Sequence, residues 1–192
     1  MATVDHRRAV ADRNRKAILD ATERLLAQHR ALSMAAVAAE AGVSRPTLYA
    51  HFKTLGEVLE AAVAQAVEES MAAIHAAAPD IGPAGEALER MVEASWTRLA
   101  GYDALARGAA EHLSAGRLHR SHAPLMALTS GVIERGQAEG VFRRDLPTEW
   151  LVMSYYALVH NADELVRSRR FRRADALAIL KTTIRDVLAA KR

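Results

Sequence analysis

Ser44, Arg45, Pro46, Thr47, Tyr49, His51 and Lys53 fall within ten consecutive positions, in the stretch V-S-R-P-T-L-Y-A-H-F-K of residues 43–53. Two hydroxyl side chains, a guanidinium, a phenol, an imidazole and an ammonium are crowded together, with only Leu48 and Phe52 spaced to enter a core. Such a set suits an outward-facing helix that meets hydrogen-bonding edges and phosphates. The major groove of DNA admits one helix and presents a donor, acceptor and methyl pattern. Residues at the start of a helix in that groove reach deepest, and flanking residues grip the backbone. On this geometry Arg45 donates to guanine, and Pro46 and Thr47 touch a thymine methyl or a phosphate. Tyr49, His51 and Lys53 reach backbone phosphates, and Ser44 offers a hydroxyl and an amide. The plainer reading leaves Tyr49 and His51 as solvated residues around a Leu48/Phe52 core.

The elements that must hold these side chains are legible on either side. Residues 1–11 read as a loose basic arm, and a first helix is expected from about Asp12 to Gln28, with Ile18, Ala21, Leu25 and Leu26 at helical spacing. Ser33 is a suitable N-cap for a short helix over Met34–Ala41. Gly42 stops that helix where a left-handed residue costs little. Ser44 caps the next, with Pro46 in its first turn, where amides lack intrahelical partners. Helix, short glycine-containing turn, helix is the helix-turn-helix arrangement. Ala38, Ala41 and Gly42 are small enough for a steep crossing.

A fourth helix is expected over about residues 55–77, then a breaker cluster P-D-I-G-P-A-G at 79–85. Further helices are read at about 84–100, 103–114, 122–139, 148–168 and 174–190, separated at Gly101, S-A-G-R-L-H-R-S-H-A-P, G-V-F-R-R-D-L-P and R-R-F-R-R. The expectation is an all-α chain of about nine helices. Residues 1–53 are read as a three-helix DNA-binding head and residues 54–192 as a separate helical body, to which the resemblance described below assigns effector binding and dimerisation.

Composition agrees. Of 192 residues, 51% are hydrophobic and only 5% aromatic, with alanine dominant, which favours helices. Residues 1–53 carry nine Lys/Arg against five Asp/Glu, whereas residues 54–192 carry seventeen against eighteen. The basic excess lies with the polar helix, as a polyanionic partner requires. Cysteine is absent, which excludes disulfides and thiolate metal sites. The longest uncharged apolar run, residues 150–162, is shorter than the roughly 20 residues a bilayer needs. The N-terminus lacks the apolar region of a signal peptide, so a cytoplasmic location is expected.

Residues 35–59, A-A-V-A-A-E-A-G-V-S-R-P-T-L-Y-A-H-F-K-T-L-G-E-V-L, closely resemble the DNA-binding segment of TetR-type (tetracycline-repressor-like) transcriptional regulators. A weaker resemblance appears at residues 136–147, G-Q-A-E-G-V-F-R-R-D-L-P, which is similar to the junction before that family's dimerisation helices. The resemblance implies a three-helix head and a divergent helical body that binds a small inducer and dimerises. Carried over by position, Tyr49 and Lys53 contact phosphate, and Arg45, Pro46 and Thr47 read bases. Gly56 departs from the pattern, where many relatives carry Lys or Asp in a longer turn, so the pattern does not supply the cap of the fourth helix. Arg8, Arg13 and Arg15 could add phosphate or minor-groove contacts, or form a solvated face.

A head of this size calls for a second copy across a palindrome. The expected interface is Leu151, Tyr155, Leu158 and Ala162 on the penultimate helix, with Leu177, Leu180, Ile184 and Val187 on the last. The same stripes could face the subunit's own core. Trp96, Tyr102, Met126, Trp150, Met153 and Tyr156 are the amphipathic residues available to line an effector pocket, or to serve as plain core. His160 and Asn161 are polar groups within the most apolar helix. His112, His119 and His122 could share a helical face and hold a metal, but Gly116 and Pro124 argue against one helix there, and no His-Glu-x-x-His occurs. No G-x-G-x-x-G, P-loop or G-x-S-x-G is present, so no enzyme is expected. The expected function is a sequence-specific DNA-binding regulator, a repressor released from a palindromic operator by an apolar or amphipathic effector, without cofactor or membrane. The alternatives are a sequence-tolerant DNA-organising protein, or a helical small-molecule binder with a vestigial head.

Overall fold

The computed structural model describes residues 2–190. Its helices are α1 (Ala2–Ala27), α2 (Met34–Ala41), α3 (Arg45–His51), α4 (Leu55–Ala76), α5 (Ala84–Ala110), α6 (Ala115–Ala138), α7 (Thr148–Arg167) and α8 (Arg173–Leu188). No strand occurs among the described residues; an isolated antiparallel bridge pairs Phe142 with Ala189. The all-helical expectation holds.

Three boundaries differ from those read in the sequence. Helix α1 begins at Ala2, so the stretch expected as a loose arm is helical. Its first fully buried residue among those described is Ile18, and apolar periodicity alone does not find the turns before it. Helix α5 runs through Gly101 without a break. Helix α6 passes through both Gly116 and Pro124, the residues expected to interrupt it. A single proline removes one ladder hydrogen bond, a cost that tertiary packing can offset.

The chain forms two compact units, one of Met1–Val67 with Gly101–Ser121 and the other of Glu68–Ala100 with His122–Arg192. The first unit's core joins Ile18, Leu19 and Leu25 of α1, Val37 of α2, Leu48 of α3, and Val58 and Leu59 of α4, each 1% exposed or less. Gln65 of α4 donates to Asp20 of α1 at 2.9 Å, a polar tie across that core. Gly108 of α5 lies so close to α1 that a Cβ there would stand 2.4 Å from Leu26 Cδ2. A larger residue there would have to displace the Leu26 side chain.

The second unit packs α7 against α8. Leu151, Val152, Tyr155, Val159 and Ala162 of α7, with Leu180, Ile184 and Leu188 of α8, turn into its core. Arg143 N–H donates to Leu188 O at 2.8 Å, and Ala190 N–H donates to Val141 O at 3.1 Å, which ties the end of α8 to the loop after α6.

Candidate nucleic-acid interface

Helix α3 has seven residues, too few to persist alone in water, so its position depends on its ends and on one buried anchor. Leu48 is that anchor, fully buried, and Phe52, 5% exposed, closes the helix as its C-cap. At the N-terminus Ser44 Oγ accepts from Thr47 N–H at 3.2 Å and lies 2.8 Å from Thr47 Oγ1. The serine hydroxyl is therefore committed to the helix as cap, and the Ser44–Thr47 pair holds both hydroxyls at one edge.

The turn before it is equally constrained. Ser33 Oγ caps α2 through Ala36 N–H at 3.1 Å. Gly42 takes φ +67°, and its N–H closes α2 onto Ala38 and Ala39. That left-handed conformation strains residues with a Cβ. Glu40 of α2 accepts from Arg24 at 3.2 Å and from Arg30 at 2.8 Å, a pincer joining α2 to α1 and the following turn. Those two hydrogen bonds hold the Glu40 carboxyl below its ordinary value.

What remains of α3 faces outward. Ser44, Arg45, Pro46 and Lys53 are exposed, Thr47 and His51 half-buried, and Tyr49 is 46% exposed. Lys53 Nζ donates to the Tyr49 backbone carbonyl at 3.0 Å, so the ammonium is held over the end of α3. The expected set is thus gathered on one small surface, apolar behind and polar in front.

The sequence reading missed a device at the next junction. Glu57 N–H donates to Thr54 Oγ1 at 3.2 Å, and the Glu57 carboxylate accepts from Lys53 N–H at 2.7 Å. This cap, in which the carboxylate reaches one residue past the threonine, starts α4, where Gly56 left the cap unread. Its signal, Thr-x-x-Glu ahead of an apolar run, stood in the sequence.

Other expected residues are scattered. Trp96 is 3% exposed in the second unit, where its indole N–H is buried without an acceptor among the described residues. The Arg173 guanidinium lies 4.9 Å from the Trp96 ring and donates to Trp96 O. Tyr156 packs edge-on to Tyr155 and pairs with Thr129 Oγ1 at 3.1 Å. Burial pushes the phenols of Tyr155 and Tyr156 up from their ordinary values, so both stay neutral. Met126 is half-buried in the same unit, whereas Tyr102, 7% exposed, belongs to the other. Trp150 and Met153 do not point inward at all. They are 63% and 52% exposed on the outer face of α7.

The stripes expected at a partner's surface also require correction. Leu151, Tyr155, Ala162, Leu180 and Ile184 are buried in the chain's own core, while Leu158, Leu177 and Val187 are half-buried. A helical period cannot tell an inner stripe from an outer one. The exposed faces carry Trp150, Met153, Ala157 and Asn161 on α7 and Ile179 on α8, and a shallow apolar groove between the helices is lined by Leu158, Leu165, Phe171 and Ile179. His160 is exposed and stacks on Tyr156. His119 lies outside the residues whose side chains are described, and no metal-binding group of three occurs among the described residues. No described helix is long and apolar enough to cross a membrane.

Residues 18–62 match the family model of bacterial regulatory proteins of the tetR family. The chain is 39% identical over 82 residues to the HTH-type transcriptional repressor LfrR of Mycolicibacterium smegmatis, an alignment covering 43% of each chain, so it spans less than half of that relative's length. The fold is similar to the crystal structure of LfrR in complex with proflavine, with a TM-score of 0.74 and 24% identity over 94% of this chain and 99% of that one. It is also similar to a tetR-family regulatory protein from Rhodococcus RHA1, with a TM-score of 0.74 and 24% identity over 93% and 98% of the two chains.

Proposed function

We propose that this chain, a member of the tetR family of bacterial regulatory proteins, is a dimeric sequence-specific transcriptional regulator that leaves a palindromic operator when a small effector binds its body. The observation that carries this reading is α3 itself, a seven-residue helix anchored by one buried leucine with Arg45, Pro46, Thr47 and Tyr49 turned outward. In the groove, Arg45 reads a base edge with Pro46 and Thr47 beside it. Tyr49, His51 and Lys53 meet phosphate, with Ser44 at the leading end. DNA reading is assigned to residues 1–53, and effector binding and dimerisation to residues 54–192.

The partner surface is assigned to the outer face of α7 and α8 and the turn between them, where Trp150, Met153, Ile179 and Phe171 are exposed apolar groups. Side chains of this size left on the surface mark an interface more often than chance. Trp150→Glu should convert dimer to monomer in sedimentation velocity and abolish operator binding. The effector is assigned to the second unit at Trp96, where the orphaned indole N–H calls for an acceptor, with Met126 and Tyr156 of the same unit as further candidates. Such an effector shifts the DNA-binding balance only by its differential affinity for the two arrangements, typically about 1–3 kcal/mol of coupling.

Selection of bound sequences from random DNA by the purified protein tests the whole reading. A regulator should recover one palindromic motif and prefer it to random duplex by about 10³-fold or more at fixed salt. Arg45→Ala should relax preference at one base pair, losing about 1–3 kcal/mol of discrimination. Recovery of no motif, with equal affinity for every duplex, would mean a DNA-organising protein instead.

A further inference from the structure

Helix α1 continues well beyond the core it helps to build. Its fully buried residues begin at Ile18, and Val10, Ala11, Asn14 and Ala17 before them are half-buried, yet the helix starts at Ala2, so about two helical turns precede the first of these. That overhang carries Arg7, Arg8, Arg13, Arg15 and Lys16 against Asp5 and Asp12. Lys16 is held by Asp20 at 3.0 Å. Arg7, Arg8 and Arg13 are exposed and form no ion pair or hydrogen bond among the described residues, and Arg15 is exposed with its guanidinium 5.5 Å from the Phe52 ring. Phe52 is the C-cap of α3, with His51 and Lys53 on either side. Arg15 is thereby set beside the residues assigned to phosphate.

Arg8 lies seven residues before Arg15, which on an α-helix places the two on one face, about 20° apart and about 10 Å along the axis. Arg7 and Arg13 project from other sides. Asp12 stands between Arg8 and Arg15 on their face, so the stripe holds two cations to one anion. We infer that the first half of α1 is a second DNA-contacting element, in which Arg8 and Arg15 hold the phosphodiester backbone beside the groove that α3 enters. This inference rests on the reading of α3 given above and lengthens the DNA covered by each head. The aromatic ring aims the Arg15 guanidinium at low entropic cost, because a stacked planar group has less freedom left to lose.

The test is the salt dependence of binding to a random-sequence duplex, where each phosphate contact contributes about 0.9 to the slope of log K against log salt. Arg8→Ala and Arg15→Ala should each flatten the slope by about one unit and weaken binding about fivefold to tenfold at 0.1 M salt. Arg8→Lys should keep the slope, and Arg13→Ala, with the same change in net charge on another side of α1, should leave it unaltered. Wild-type slopes in both alanine variants, or equal flattening by Arg13→Ala, would overturn the inference. Arg8 is exposed, so its variant keeps the test valid if Arg15→Ala lowers the thermal midpoint. Failure of the α3 reading looks different: Lys53→Ala would then leave the slope unchanged as well.

Discussion

Arginines at the two ends of the sequence are used in opposite ways. In residues 1–53, Arg7, Arg8, Arg13 and Arg45 have no protein acceptor among the described residues, and only Arg24 and Arg30 are matched by a carboxylate, both by Glu40. In the second unit most are bound into the fold, with Arg169 and Arg170 left exposed without a side-chain partner among the described residues. Arg90 donates to Ala77 O and Ala78 O at 2.9 Å and to Ile81 O at 2.6 Å, closing carbonyls left open after α4. Arg135 reaches Pro79 O at 2.7 Å. Arg143 forms a two-pronged pair with Asp145, both bonds 2.8 Å, which raises its pKa further. A guanidinium satisfied by the chain stiffens that chain. One left unsatisfied is available to a ligand with acceptors of its own.

Three substitutions probe this contrast, beginning with the one of greatest effect. Leu48→Ala removes the anchor beneath the unsatisfied arginines and should cost about 2–5 kcal/mol in urea unfolding, with DNA affinity falling too. Undiminished affinity in that variant would show that α3 does not need its platform. Arg90→Ala should cost about 1–3 kcal/mol of stability by exposing three carbonyl groups to loss of partners. Its salt slope on DNA should equal the wild type's, and any flattening would erase the contrast drawn here.

Glu40→Gln is the mildest. Glu40 titrates below its ordinary value of 4.5 in the folded chain. Its contribution is therefore present above that ordinary value and is lost as pH falls through the lower folded one. Thermal melts across the acid range should show a shallower decline in Glu40→Gln than in wild type, while at neutral pH the variant melts slightly lower. Parallel curves would assign the acid sensitivity to other carboxylates.

The head was readable because its signals are local. Ser33 and Ser44 cap and Gly42 turns, and each acts within four residues of its own position. The Thr54–Glu57 cap was equally local and was overlooked beside Gly56. The body resisted because its questions are not local. Leu151 and Trp150 are neighbours in sequence, yet one is fully buried and the other 63% exposed, and only the packing of α7 on α8 decides which. The straight run of α5 through Gly101 is likewise decided by what surrounds it. For α1 the apolar pattern ended at its last core contact, whereas the helix itself did not.

Gly42 carries a consequence beyond ending α2. A Cβ at this residue would meet nothing within 4 Å, so its φ of +67°, not crowding, limits what can replace it. The angle at which α3 leaves α2 is thus held by one torsion. Asparagine, which tolerates this conformation, should preserve the recognition angle, whereas valine should swing α3 off its axis with every reading side chain intact. On the reading of α3 proposed above, specificity is a matter of pointing as well as of chemistry, and a residue that never touches a base would change which bases are read.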